Sequence, residues 1–426
     1  MSRVKILPSV LRGRLEVPVS KSAAHRALIC SALAGGGDPL PPGAELSDDL
    51  LATRNAVRAL LSPHTGPAAL DCGESGSTLR FLIPVAAALG RPAVFTGRGR
   101  LPRRPLGVYA DCLPPHGVSL EGGGQPDGLR PGDGPRLPLT VSGRLAPGLF
   151  RLPGGVSSQF VTGLLFALPL LPGESEIVLT SPLESAPYAE MTARALRAFG
   201  VSVQQTPSGW RVPGGQRYRP APGYRIERDW SQAAFFLAAG TLGGPVELEG
   251  LDPDSAQGDR AAEGLFRRLG ARVEWSGGLL RAQAGGPRAL PPPAGTEIDA
   301  SQIPDLVPAL AAAAALLPGR RTRIVRAERL RLKESDRLAA MAEGLNRLGG
   351  RVRERPDGLE ICGVPALSGG TARGYGDHRV VMALAVAALR SRGAAVLTDA
   401  RSVRKSYPGF FRDYNRLGGK ADVLGD

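Results

Sequence analysis

Lysine is almost missing from this chain: five lysines stand among 53 basic residues, alongside 57 glycines and 39 prolines. Such a bias reflects genomic base composition, so the exceptions, Lys5, Lys21, Lys333, Lys405 and Lys420, become informative. Cysteine is scarce as well. Cys30, Cys72, Cys112 and Cys362 lie far apart and form no CxxC pair, so neither a disulfide framework nor a zinc site is suggested, and buried thiols in a reducing compartment are expected. Aromatic residues make up 5% of the chain. The one dense basic stretch, TGRGRLPRRPLG at residues 96–107, has no aromatics interleaved for bases to stack on. A net charge of +14 attracts polyanions in general, but here it is scattered rather than blocked, and no nucleic-acid partner is expected. Long hydrophobic segments are also absent. The longest apolar run, residues 306–317, is shorter than a bilayer-spanning helix, and the opening MSRVKILPSVLRG has no apolar stretch of signal-peptide length. A cytoplasmic protein with no membrane association is expected.

What is present is length and internal repetition. At 426 residues the chain exceeds one ordinary hydrophobic core, and two domains are expected. The segments ARALRAFG, LFRRLGA and GLNRLGG each show helical apolar spacing closed by a glycine able to end a helix. Each leads into an alternating strand (VSVQQ, ARVEW, GRVRER), a turn (PSG, SGG, PDG) and a return strand (WRVPG, LLRAQ, LEICG), which is a hairpin by its turn chemistry. Upstream of each lies a further β-rich run, EIVLT, PVELEG or TRIVR, and between units sits an almost wholly apolar helix. These apolar helices begin near Ser158, Ser231, Pro304 and His378, roughly 73 residues apart, with looser copies near Ser22 and Ser77.

The unit reads βαβαββ, and the expected fold class is α/β (α+β by some schemes): six such units in two similar three-unit domains, with the apolar helices buried. The last copy runs out of chain before its hairpin closes, while RVKIL and RLEVPV at the other end are spare strands. The termini are therefore expected to complete one unit together. Residues 1–18 with 229–426 then form one domain and 19–228 the other. Crossings near residues 17–21 and 227–231 would make a hinge, with the site in the cleft between the domains.

The polar motifs sit where the apolar helices begin, and an exposed helix N-terminus offers unpaired N–H groups and partial positive charge to anions. In PVSKSAAHRAL, Ser22 is placed to cap a helix, with Lys21 and Arg26 adding full charges. CGESGSTLRFL has Gly73 and Gly76 flanking a polar turn with Arg80 one turn in, but lacks the GKS or GKT of a nucleotide-binding loop. In GGVSSQFVTGLL, capping explains one of Ser157, Ser158 and Gln159, not three. Asp305, after Pro304 in SQIPDLVPAL, opens a helix with no other ionisable group until its end; a first-turn carboxylate serves structure as readily as catalysis. RLRLKESDRLAAM gathers Lys333, Glu334, Asp336 and Arg337 at one helix start, YGDHRVVMALAV places Asp377, His378 and Arg379 at another, and VRKSYPGFF presents Lys405 before a third. Mixed charges at a helix start often form only solvated pairs.

In this order, SKSAAHRAL, GESGSTLR, RRPLG, VSSQF, IPDL, LKESDR, GDHR and RKSYPGF resemble the 5-enolpyruvylshikimate-3-phosphate synthase family over nearly the whole chain. The resemblance implies an inside-out α/β barrel fold of two three-unit domains that close on substrate. It also implies transfer of the enolpyruvyl group of phosphoenolpyruvate to the 5-hydroxyl of shikimate 3-phosphate, with no metal and no cofactor. Carried over by motif, shikimate 3-phosphate meets Lys21, Ser22, Arg26, Ser157, Ser158, Ser185, Tyr188, Asp305 and Lys333. Phosphoenolpyruvate meets Lys21, Gly76, Arg104, Gln159, Arg337, Arg379 and Lys405. Asp305 is the implied base and Glu334 the implied donor to C3, with Lys21 and His378 sharing the proton traffic in a division left open. Gly76 leaves room for glyphosate, and a monomer is expected. Glu74 and Arg329 depart from the family pattern, standing where members often have Asn.

Three other readings compete. The sister enzyme that uses UDP-N-acetylglucosamine carries Asn after the first lysine and a reactive cysteine before Arg-Pro; here Ser22 follows Lys21 and RPAVFTGRGRLPRRP holds no cysteine. A non-catalytic nucleic-acid binder would use the basic loop near Arg103 and bind with strong salt dependence. A tandem-repeat scaffold would explain the units but not charges collected from Lys21, Arg104, Asp305, Glu334, Arg337, Arg379 and Lys405.

Overall fold

A computed structural model describes residues 2–63, 65–123, 134–285 and 295–424. The chain divides into a contiguous unit, Lys21–Ile226, and a split unit, Met1–Ser20 with Glu227–Asp426. Two short strands, β1 (Arg3–Leu7) and β2 (Gly13–Glu16), open the split unit.

The contiguous unit follows with α1 (Lys21–Leu33), α2 (Asp48–Leu61), β3 (Ala68–Asp71), α3 (Gly76–Ala88), β4 (Ala93–Thr96), α4 (Gly107–Cys112), β5 (Val118–Gly123) and β6 (Arg136–Gly143). It continues with β7 (Leu149–Leu152), α5 (Ser158–Ala167), β8 (Ser175–Leu179), α6 (Ala186–Ala198), β9 (Gln204–Thr206) and β10 (Gly209–Val212). Its strands form two sheets, β3-β4-β6-β5 and β7-β8-β10-β9. The chain between Lys21 and Leu61 contributes helices only; just before it, Val19 makes an isolated antiparallel bridge with Arg228.

The split unit resumes with α7 (Trp230–Leu242), β11 (Val246–Glu249), α8 (Ala262–Arg268), β12 (Ala271–Ser276), β13 (Leu279–Ala284), β14 (Gly295–Asp299), α9 (Val307–Ala314) and β15 (Arg321–Val325). Then come α10 (Arg337–Arg347), β16 (Val352–Arg355), β17 (Gly358–Cys362), β18 (Gly370–Ala372), α11 (His378–Ala387), β19 (Ala395–Thr398), α12 (Phe410–Arg416) and β20 (Lys420–Leu424). Three sheets result: β12-β13-β11-β2, β14-β15-β17-β16 and β18-β19-β1-β20. In the last, β1 lies antiparallel between β19 and β20, so the two ends of the chain share one sheet. The molecule is thus a mixed α/β protein of several small four-stranded sheets.

The sheets carry one apolar face, and the wholly apolar helices fill the space beneath. All thirteen residues of α7 and all eight of α9 are buried, as an all-round apolar helix requires. At about 1.5–3 kcal/mol per fully buried large apolar side chain, these helices are major contributors to the core of the split unit. The amphipathic helices end as their glycines demand: Gly200 after α6 and Gly349 after α10 take φ of 77° and 99°, and Val201 and Gly350 donate back to the carbonyls of Leu196 and Leu345. Among the described residues no helix is long and apolar enough to cross a membrane.

Two local expectations are corrected. Ser22 does not cap α1: the helix already starts at Lys21, and the Ser22 carbonyl accepts from Arg26 Nη1 (2.6 Å) inside the first turn. Nor do Lys333, Glu334, Asp336 and Arg337 share the start of one helix. A 3-10 turn (Glu328–Leu332) comes first, Lys333 to Ser335 follow, and Asp336 caps α10 by accepting from the Ala339 N–H. The four-residue spacing of charges suits a cap preceded by an irregular turn as well as it suits a helical face.

Candidate active site

In the split unit, cationic side chains from the starts of α10 and α11 and from the turn before α10 converge on Asp305, which sits in a 3-10 turn (Pro304–Leu306) leading into α9. Its carboxylate accepts from Arg337 Nη1 and Arg379 Nη2, both at 3.0 Å, and Lys333 Nζ lies 3.9 Å away. Arg337, with 1% of its side chain exposed, also donates to Glu334 Oε2 (2.7 Å) and to Asp377 Oδ2 (2.8 Å). Asp377 caps α11 and takes a further bond from the Ser335 hydroxyl at 3.0 Å. Lys405 joins more distantly, its ammonium donating to the Gly376 carbonyl at 2.7 Å. His378 is buried in the first turn of α11, its Nδ1 3.9 Å from Asp377 Oδ1.

Burial by itself would raise the Asp305 carboxyl, but Arg379, Lys333 and Arg337 outweigh it and hold the group well below the usual carboxylate range. Burial likewise opposes the Arg337 charge, and Asp377, Glu334 and Asp305 overcome it, so the guanidinium binds its proton more tightly than usual. Asp305 and Arg337 are thus both held in their charged forms.

Sequence reading missed Asp259. It lies in a 3-10 turn (Gly258–Ala261), is 2% exposed, accepts from the Ser231 hydroxyl at the start of α7, and leaves Oδ1 without a hydrogen-bond partner. Burial first and the charge of Asp305 second push its pKa up to about 7, against the pull of Arg379. Its segment, SAQGDR, reads as an ordinary polar turn, and no local signal marks it.

The contiguous unit gathers a second group. Lys21 pairs with Asp49 at 2.6 Å; Asp49 lies in the first turn of α2, after its Ser47 cap. Arg26 is 2% exposed and ties α1 to α6, donating to the Tyr188 carbonyl (2.7 Å) and Thr192 Oγ1 (2.9 Å). Its guanidinium therefore supports the fold whatever else it contacts. Ser185 precedes α6 with φ of 56°, Ser157 caps α5 by accepting from the Gln159 N–H (3.3 Å), and Ser158 is buried one residue on. The Gln159 amide accepts from Arg80 Nη1 (2.7 Å) and donates to Ser77 Oγ (3.0 Å).

Gly76 opens α3 directly beneath Arg104: a Cβ there would stand 2.5 Å from Arg104 Nη1. Below this, Thr78 Oγ1 donates to the Ser75 cap (2.7 Å), so Thr53, 2.5 Å from Thr78, must donate to it and accept from His25 Nδ1 (2.7 Å). Burial, then Lys21 and Arg26, keep His25 neutral. The two departures from the family pattern also find places. Glu74 packs its carboxylate against Gly99, and Arg329 donates to the Ser301 carbonyl at 2.7 Å.

Comparison with known proteins agrees in family and in fold. A family model described as EPSP synthase (3-phosphoshikimate 1-carboxyvinyltransferase) matches residues 7–414. A 3-phosphoshikimate 1-carboxyvinyltransferase of Clostridium novyi is 37% identical over 451 residues, and one of Clostridium kluyveri 40% over 443, each covering 99% of both chains. A solved EPSP synthase from Acinetobacter baumannii superposes with a TM-score of 0.75 at 26% identity, covering 100% of both chains.

Proposed function

The chain belongs to the EPSP synthase (3-phosphoshikimate 1-carboxyvinyltransferase) family, and we infer its chemistry from that premise. It is a transferase of aromatic amino-acid biosynthesis that moves the enolpyruvyl group of phosphoenolpyruvate to the 5-hydroxyl of shikimate 3-phosphate and releases phosphate. Neither the UDP-N-acetylglucosamine reading nor the nucleic-acid reading is favoured by the relatives, which carry the shikimate name.

We propose that Asp305 takes the proton of the attacking hydroxyl while the C5 oxygen bonds to C2 of phosphoenolpyruvate and C3 gains a proton from Glu334. The tetrahedral ketal then loses phosphate as the C2–O bond breaks, C3 returns its proton to Glu334, and the released phosphate takes up the proton held by Asp305. The observation that carries this reading is the Asp305 carboxylate held between Arg337, Arg379 and Lys333. A carboxylate so tightly paired is a weak base. When the phosphate and carboxylate of phosphoenolpyruvate draw on Arg337, Arg379 and Lys405, Asp305 and Glu334 lose cationic partners and both become better proton carriers. The same cations then face the charge that develops on departing phosphate.

In the contiguous unit, Lys21, Gly76, Arg104 and Gln159 are assigned to phosphoenolpyruvate, and Lys21, Ser22, Arg26, Ser157, Ser158, Ser185 and Tyr188 to shikimate 3-phosphate. Asp305 and Lys333 complete the second set, and Lys21 and His378 assist the proton steps. We also read the fold as six βαβαββ copies in two domains arranged as an inside-out barrel. The support is that the five sheets of the described residues share one strand order, with β1 counted after β20, and that in four of them the parallel pair is joined across an apolar helix; the first copy keeps only helices.

The test is release of inorganic phosphate from phosphoenolpyruvate with and without shikimate 3-phosphate, in wild type and Asp305→Asn. Release should need both substrates, slow under glyphosate at low phosphoenolpyruvate, and fall by at least about a hundredfold in the variant. Turnover in Asp305→Asn near the wild-type rate would remove Asp305 as the base.

A further inference from the structure

We propose that Arg80 is the positioning residue for the phosphoenolpyruvate subsite, holding both the Gln159 amide and the turn that carries Arg104. This deepens the functional reading above and rests on its assignment of Gln159, Arg104 and Gly76 to that substrate. Arg80 lies in the first turns of α3, is 4% exposed, and spreads its guanidinium over the Phe160 ring at 4.9 Å. One nitrogen, Nη1, donates to Gln159 Oε1 at 2.7 Å; the other, Nη2, donates to the Pro105 carbonyl at 3.0 Å.

The first bond decides which way the amide faces. A guanidinium has donors only, so the Gln159 oxygen must turn to it and the NH2 must point the other way. There Nε2 meets Ser77 Oγ at 3.0 Å, beside Gly76, and keeps a second N–H for an anion. The second bond acts on the neighbouring turn. Pro105 follows Arg104, whose guanidinium lies over the Gly76 Cα, so fixing the Pro105 carbonyl limits where Arg104 can start from. A planar fork makes both bonds at once, buried and against an aromatic face; a lysine ammonium has the charge but not the fork.

Phosphate release is measured for wild type, Arg80→Lys, Gln159→Leu and the double variant, varying each substrate in turn. Arg80→Lys should raise the KM for phosphoenolpyruvate by on the order of tenfold, the scale of one charged hydrogen bond. The KM for shikimate 3-phosphate should stay within about twofold, and the double variant should lose less than the product of the two single losses. Equal rises in both KM values, or multiplicative losses, would overturn the proposal. A crystal structure of Arg80→Lys without substrates gives an answer that does not depend on the reaction. Gln159 displaced from Ser77, with the turn at residues 104–106 shifted, supports a positioning role; both left in place overturns it. If wild type releases no phosphate, the functional reading fails while this structural outcome still judges Arg80.

Discussion

Asp259 and Asp305 both feel the charge of Arg379, yet their neighbours drive them apart. Asp305 has three cations and stays ionised; Asp259 has one bond from Ser231, feels the charges of Asp305 and Asp229, and holds its proton up to about pH 7. Unfolded, Asp259 releases that proton near its ordinary value of 3.8. The folded chain therefore binds more protons between about pH 4 and pH 7, and stability falls as pH rises through that window. His25, kept neutral by burial, acts in the opposite sense below its ordinary 6.5, so the comparison must be differential. Urea unfolding of wild type and Asp259→Asn should show wild type losing on the order of 3 kcal/mol relative to the variant from pH 4 to pH 8. A constant difference across that range would mean that folding does not raise the Asp259 pKa.

At the scale of elements, α3 and α5 approach so closely that Gly163 has no room for a side chain. A Cβ there would strike the Tyr109 hydroxyl and the Arg80 carbonyl oxygen, and would come within 3.0 Å of Pro84 Cγ. The Tyr109 hydroxyl already donates to the Arg80 carbonyl (2.7 Å), so the crossing is bonded as well as packed. Gly163→Ala should gain about 1 kcal/mol of helix propensity and lose about 1–3 kcal/mol to overpacking, a net destabilisation read as a lower urea midpoint. An unchanged or higher midpoint would show that the two helices separate at no cost. Hairpins and helix ends were legible beforehand because PSG, SGG and PDG turns and terminal glycines act over a few residues. The start of α1 at Lys21 was not, because a serine one residue further on fits a cap equally well by local sequence.

For the whole molecule, the two units differ in how the chain builds them. The contiguous unit has a core of its own, with Phe81, Phe95, Phe150, Phe160 and Phe166 each at most 2% exposed. The split unit depends on β1, whose Val4 and Ile6 are fully buried between β19 and β20. A fragment of residues 21–226 should therefore unfold cooperatively in urea. One of residues 227–426 should lack a cooperative transition until a peptide of residues 1–20 is supplied, since two buried aliphatic side chains alone contribute about 3–6 kcal/mol. Cooperative unfolding of residues 227–426 without the peptide would count against that dependence.

Taken alone, the sequence determined the kinds of elements, the turns between them, the buried helices and the polar motifs at their starts. All of these follow from spacing and turn chemistry over a few residues. From those motifs it also pointed to the family and to Asp305, Arg337 and Arg379 as chemistry-bearing. Only the tertiary structure decided that Arg337 would be divided among Asp305, Glu334 and Asp377, that Lys21 would meet Asp49, that Asp259 would lie buried within reach of Asp305, and that Arg80 would grip Gln159 and Pro105 together. Apart from the Arg337–Glu334 pair, those partners are between 25 and 79 residues apart, and their charge states depend on distance and burial, which no local pattern encodes.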